Sequence, residues 1–182
     1  MMSQWKPWLT VGLLIGLPLH AGAAAPENDG RRDFDFLFGR WTVKSRRLAA
    51  RLAGSTEWKE FQATCEARAL PTGLGNEDVF RSDHVPGFVG MTFRFFDPKS
   101  RTWAIHWVDN QASVLEPAVF GSFSGDVGVF KGPDVFRGRP ITVRFIWSGV
   151  TTGRPRWEQA FSADGGQTWE TNWTMEFTPV HE

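Results

Sequence analysis

The chain has 182 residues, with 20 Lys and Arg against 20 Asp and Glu, so its formal net charge is zero. That balance leaves no electrostatic footprint for nucleic acid or for an anionic membrane surface, and neither is expected as a partner. The single cysteine, Cys65, excludes an internal disulfide, and the sixteen Phe and ten Trp with no Tyr promise a core built from large aromatic side chains.

In chain order, Lys6 precedes an apolar run from Trp8 to Leu19, followed by Ala21-Gly22-Ala23-Ala24-Ala25 and then the polar Pro26-Glu27-Asn28-Asp29. A charged start, about a dozen apolar residues and an A-x-A-like site predict a secretory signal peptide over residues 1–24. The run is short of the roughly 20 apolar residues a spanning helix needs. No Cys follows it, which excludes a bacterial lipoprotein anchor. The expectation is therefore a periplasmic or secreted protein with no stable membrane anchor. It would begin near Ala24 or Ala25, and residues 25–182 would form one domain.

Asp33-Phe34-Asp35-Phe36-Leu37-Phe38 reads as a short aromatic helical turn, placed to plug one end of the fold. From Trp41 onward, short alternating segments are separated by Gly, Pro, Asp, Asn and Ser, the signature of an all-β protein. The predicted strands are Trp41 to Leu48, Trp58 to Leu70, Asn76 to Ser82, Val89 to Phe96, Thr102 to Asp109, Val119 to Ser124, Val127 to Lys131, Ile141 to Ser148, Arg156 to Ser162 and Thr168 to Phe177. About ten strands with no helical crossovers close most economically into a single antiparallel up-and-down barrel, which leaves no edge exposed.

Asp164-Gly165-Gly166 is a strong turn signal between the last two strands. Pairing Ser162 with Thr168 sets Trp157 opposite Trp173, Gln159 opposite Thr171 and Phe161 opposite Trp169, sorting both strands into an apolar and a polar face. Parity elsewhere points Val89, Met91, Phe93 and Phe95 inward with Thr92 and Arg94 outward. Trp103, Ile105 and Trp107 point inward with His106 outward, and Val143, Phe145 and Trp147 inward with Arg144 outward. Arg46, Arg47 and Arg51 read as a solvated strand end.

Phe38-Gly39-Arg40-Trp41, a Gly-x-Trp opening the first strand after an aromatic turn, is similar to the start of lipocalin-like and nitrobindin-like barrels. The whole exported part, including Arg94-Phe95-Phe96-Asp97-Pro98 and Trp157-Glu158-Gln159-Ala160-Phe161-Ser162, resembles an uncharacterised bacterial family of calycin-like proteins. The resemblance implies a ligand-holding barrel and brings no catalytic residues with it. Nitrobindin-like barrels bind haem through one axial His, which makes a haem-binding barrel one alternative, with His84 or His106 as ligand. The placement of His106 outside and of His84 in a loop weighs against it.

Ser162-Ala163-Asp164-Gly165-Gly166-Gln167-Thr168-Trp169 fits the Asp-box pattern of sialidases. A single box, in a chain too short for a propeller and lacking the Tyr nucleophile, is a structural hairpin. The three histidines beyond the leader, His84, His106 and His181, have no metal-ligand spacing, so no metal and no cofactor is expected. No Gly-x-Ser-x-Gly elbow is present. Asp109, Glu116 and Glu158 are the acids available for general acid–base work, and Cys65 reads as a small buried hydrophobe.

The functional expectation is a binding protein for a small apolar or aromatic molecule, held inside the barrel by Trp41, Trp107, Asp109, Trp147, Trp157, Gln159, Thr171 and Trp173. The amide of Gln159 would be the chief polar contact. The alternative from another class is an enzyme of isomerase or cyclase type that uses the same cavity, with Asp109 or Glu158 as acid or base. The sequence carries no signal for the oligomeric state.

Overall fold

The computed structural model describes residues 29–181; the expected signal peptide, residues 1–24, lies outside them. A 3-10 turn at Asp35–Leu37 is followed by ten strands: β1 (Gly39–Leu48), β2 (Trp58–Ala69), β3 (Gly75–Ser82), β4 (Phe88–Asp97), β5 (Thr102–Asp109), β6 (Val119–Ser124), β7 (Val127–Phe136), β8 (Arg139–Ser148), β9 (Arg156–Ser162) and β10 (Glu170–Pro179). Every strand pairs antiparallel with its sequence neighbours, and β1 pairs with β10 to close an up-and-down barrel. The connections are short, and the β7–β8 hairpin turns on Arg137 and Gly138, both at positive φ (49° and 77°), as a type I′ turn requires.

The aromatic turn closes one end. Phe34 is wholly buried, edge-on to Trp103 (4.9 Å) and Phe123 (5.0 Å) and 5.6 Å from Phe130. Two indoles latch the segment in place, with Trp41 Nε1 donating to the Leu37 carbonyl at 2.7 Å and Trp103 Nε1 to that of Gly30 at 3.0 Å.

The strand faces agree with the sequence reading on β5, β8 and β9 and invert it on β4. Asn76, Asp78 and Phe80 of β3 pair across the ladder with Arg94, Thr92 and Gly90, and this whole set faces the interior. Val89, Met91, Phe93 and Phe95 therefore line the outer wall, where Phe95 is 46% exposed. The physical reason is a buried ion pair: Arg94 Nη2 lies 2.6 Å from Asp78 Oδ2, Arg94 Nη1 donates to Asn76 Oδ1 at 3.0 Å, and Thr92 Oγ1 donates to Asp78 Oδ1 at 3.2 Å. Each of these side chains has a partner on the neighbouring strand, with only the Arg94 Nε left without one, so the set tolerates burial.

The β9–β10 register also differs from expectation. The turn holds Ser162 to Trp169 in its own hydrogen bonds, so pairing begins at Phe161 opposite Glu170, and a bulge between Thr171 and Trp173 shifts it once more. Trp157 then faces Met175, Gln159 faces Trp173, and Thr171 lies opposite Ala160 on the outer side. The residue expelled by the bulge, Asn172, is wholly buried, and its Oδ1 accepts from Gln159 Nε2 at 2.9 Å. Trp169 is not opposite Phe161. Its indole donates to the Gly166 carbonyl, and its ring takes Arg144 Cζ at 4.2 Å.

The Asp-box segment is a self-contained hairpin. The Asp164 carboxylate accepts from the Thr168 hydroxyl, the Thr168 N–H, the Ser162 hydroxyl and the Gln167 N–H, which hold it well below the usual carboxylate range. A carboxyl depressed below its unfolded value of 3.8 stabilises the fold above that pH and loses this contribution as pH falls through the folded value. Asp164→Ala is therefore expected to lower the urea midpoint at pH 7, with the deficit against the parent shrinking as pH is lowered from about 4 toward 2. A deficit that stays constant over that range would rule out the carboxylate as the cause.

Candidate functional site

A cavity of about 320 Å³ runs along the barrel axis from the aromatic plug toward the opposite end. Its floor combines Leu37, Cys65 and Trp147 with the Asp78, Thr92 and Arg94 cluster. Cys65 is buried, and burial, with the Asp78 carboxylate adding to it, pushes its thiol well up, which makes it inert.

The waist is aromatic. Trp173 stands edge-on to Trp157 (5.6 Å) and to Trp107 (6.5 Å), and Phe145 lies 5.0 Å from Trp157. Gly90 shapes this layer, because a Cβ there would fall 2.1 Å from the Trp107 ring. With no side chain in the way, the indole lies against the β4 wall. Gln159 reaches the cavity from β9, and its amide nitrogen is held by Asn172.

The mouth is charged. Arg47, Arg51, Asp109, Gln111, Glu116 and Asp134 ring it, together with Phe88, Phe136 and Phe161. Burial alone would raise Asp109, yet the Ala112 and Gln111 N–H groups and the Trp107 indole, which donate to its carboxylate, hold it below its ordinary value. Glu116 is exposed at the mouth and lines the cavity there. Desolvation, followed by repulsion from Asp134 and Asp109, pushes its carboxyl up to about 7 against the pull of Arg51.

Of the eight residues expected to form the site, Trp107, Asp109, Trp147, Trp157, Gln159 and Trp173 line the cavity. Trp41 does not, being spent on the plug and packed on Phe177. Thr171 does not, since the bulge turns it outward, so the partner of Gln159 is Asn172. Gln159 is one of several polar residues that line the cavity, with Thr92, Asp109 and Gln111 among the others. Glu158 lies outside the cavity, paired with Arg156, which removes it as an acid for chemistry inside. Arg47 and Arg51 are half-buried at the mouth instead of forming a solvated strand end, while Arg46 lies outside over Trp58.

His84 stacks on Phe61 at 4.7 Å on the rim, and His106 sits on the outer wall with Nδ1 3.3 Å from the Glu116 carbonyl. Among the described residues no three His, Cys, Asp or Glu side chains converge in a way that would hold a metal ion. No described helix is long and apolar enough to cross a membrane. No protein-family model matches the chain, and no curated protein matches it in sequence.

Proposed function

We propose that this protein is an exported, calycin-like barrel that binds a small, largely apolar or aromatic molecule in its interior. The observation that carries the reading is the cavity itself, walled by Trp107, Trp147, Trp157, Trp173 and Phe145 and closed at one end by the Phe34 plug. Cores normally pack to near-crystalline density. An aromatic-lined space of about 320 Å³ that the chain does not fill falls in the range of small-molecule sites.

Titration with small aromatic compounds should change the intrinsic Trp fluorescence saturably, because four indoles border the space. Gln159→Leu removes the amide that faces a ligand and should weaken binding by about tenfold, roughly one decade per 1.4 kcal/mol. A flat fluorescence response across aromatic and aliphatic compounds alike would count against the reading. Export is tested by the intact mass of protein recovered from the cell envelope, where a mass retaining Lys6 and the apolar run would contradict it.

A second reading, an isomerase- or cyclase-type enzyme, is favoured by one observation. Glu116, with a carboxyl that titrates near 7, faces the same cavity and has the affinity a general acid or base needs at neutral pH. Under that reading Glu116→Gln abolishes turnover and leaves ligand binding intact.

A further inference from the structure

The open end of the barrel carries charges that an apolar ligand does not explain. Arg47 and Arg51 line both the main cavity and an adjoining hollow of about 300 Å³ beneath the rim, where Lys59, His84 and Arg137 add further basic groups. Among the described residues neither guanidinium has an ion pair or a hydrogen bond. Their contacts are with ring faces: Arg47 Cζ lies 5.0 Å from the Trp173 ring, and Arg51 Cζ lies 4.7 Å from Phe136 and 5.3 Å from Phe161. A ring face attracts the cation but cannot satisfy five N–H donors.

Withdrawing an unpaired cation from water is costly, and both side chains bear that cost. Burial pulls Arg47 down, and burial with repulsion from Arg47 and Arg137 brings Arg51 to about 10, so both remain charged at neutral pH. The acids that share the mouth offset part of this cost through space, Asp109 for Arg47 and Glu116 with Asp134 for Arg51, but none of them forms an ion pair with either guanidinium. The Asp109 carboxylate is instead taken up by two backbone N–H groups and an indole, and Asp134 accepts the N–H of its neighbour Val135.

We propose that Arg47 and Arg51 form an anion subsite at the cavity mouth, and that the molecule held inside is an aromatic acid. Its carboxylate pairs with the two guanidinium groups while its ring lies among Trp107, Trp157 and Trp173. This deepens the ligand-binding reading above and rests on it. Arg47 covers Trp173, so a ring seated against that indole brings its carboxylate to the guanidinium donors, and the rim cations Lys59 and Arg137 steer anions toward the opening.

The test compares 1-naphthoate with 1-naphthamide, two compounds of the same shape that differ in charge, by calorimetric titration of the purified protein. Naphthoate is expected to bind at least about tenfold more tightly, with an advantage that shrinks as salt is added. The double substitution Arg47→Gln with Arg51→Gln should erase that advantage while changing naphthamide affinity by less than about threefold. The corresponding pair of Arg→Lys changes should keep part of the preference, which separates loss of charge from loss of structure. Equal affinities in the parent, or a preference that survives the double Gln substitution, would overturn the anion subsite and leave the cavity as a neutral ligand site. Absence of saturable binding by either compound would overturn the subsite and the binding reading together.

Discussion

Asp78→Ala is expected to lower the unfolding free energy by about 3–5 kcal/mol, the usual cost of removing one partner from a buried ion pair. The side chains of Asp78 and Arg94 are 5% and 4% exposed, with a separation of 2.6 Å. Once the carboxylate is gone, the guanidinium keeps only Asn76 Oδ1 and the face of Phe34, 4.9 Å from its Cζ. Its Nε already lacks a partner, so nothing nearby compensates. Replacing both residues, Asp78→Leu with Arg94→Met, removes the stranded charge and should cost well under the sum of the single changes. Urea unfolding of the parent, Asp78→Leu, Arg94→Met and the double variant forms the double-mutant cycle that measures this. Strictly additive losses would mean that the two groups do not act as a pair.

Phe34→Ala should be of similar size, about 3–5 kcal/mol, because it removes a fully buried ring whose neighbours are fixed in strands and cannot collapse into the space. The ring is the keystone of the plug, in contact with Trp103, Phe123, Phe130 and Trp147. Phe38, at the other end of the same aromatic run, is 37% exposed. Phe38→Ala serves as the control and should stay within about 0.5 kcal/mol of the parent. Thermal unfolding of the two variants side by side checks both values, and equal losses would contradict the plug as the load on Phe34.

The architecture was legible because it depends on local signals. Alternation within strands and Gly- or Asp-rich turns between them locate all ten strands, with β5, β6 and β9 bounded as expected. What the pattern of one strand cannot contain is its neighbour. β4 alternates convincingly in either phase, Val89-Met91-Phe93-Phe95 or Phe88-Gly90-Thr92-Arg94-Phe96, and apolarity favours the wrong one. Only the pairing of Arg94 and Thr92 with Asn76 and Asp78 on β3 decides it. β4 carries Thr92 and Arg94 at alternate positions, whereas β3 runs Asn76-Glu77-Asp78 without a break, and the opposite charges of Asp78 and Arg94 across a short turn were the available clue. The β10 bulge likewise left Trp173 inward but exchanged Thr171 for Asn172 as the partner of Gln159. Arg47 and Arg51 read as solvated because nothing in their own segment announces the rings of β7, β9 and β10 that flank them.

The barrel's topology also bears on the order in which its parts can come into being. Nine of the ten strand pairings join sequence neighbours and can form as local hairpins, whereas β1 with β10 joins the two ends of the described chain. That seam carries the largest loop-closure entropy and belongs late in folding. Arg47 and Trp173 face each other directly across it. The guanidinium at the mouth and the indole beneath it therefore meet only when the seam is shut. A half-assembled chain, however many of its hairpins are made, presents neither the proposed anion subsite nor an enclosed cavity, so the binding proposed above requires the completed barrel.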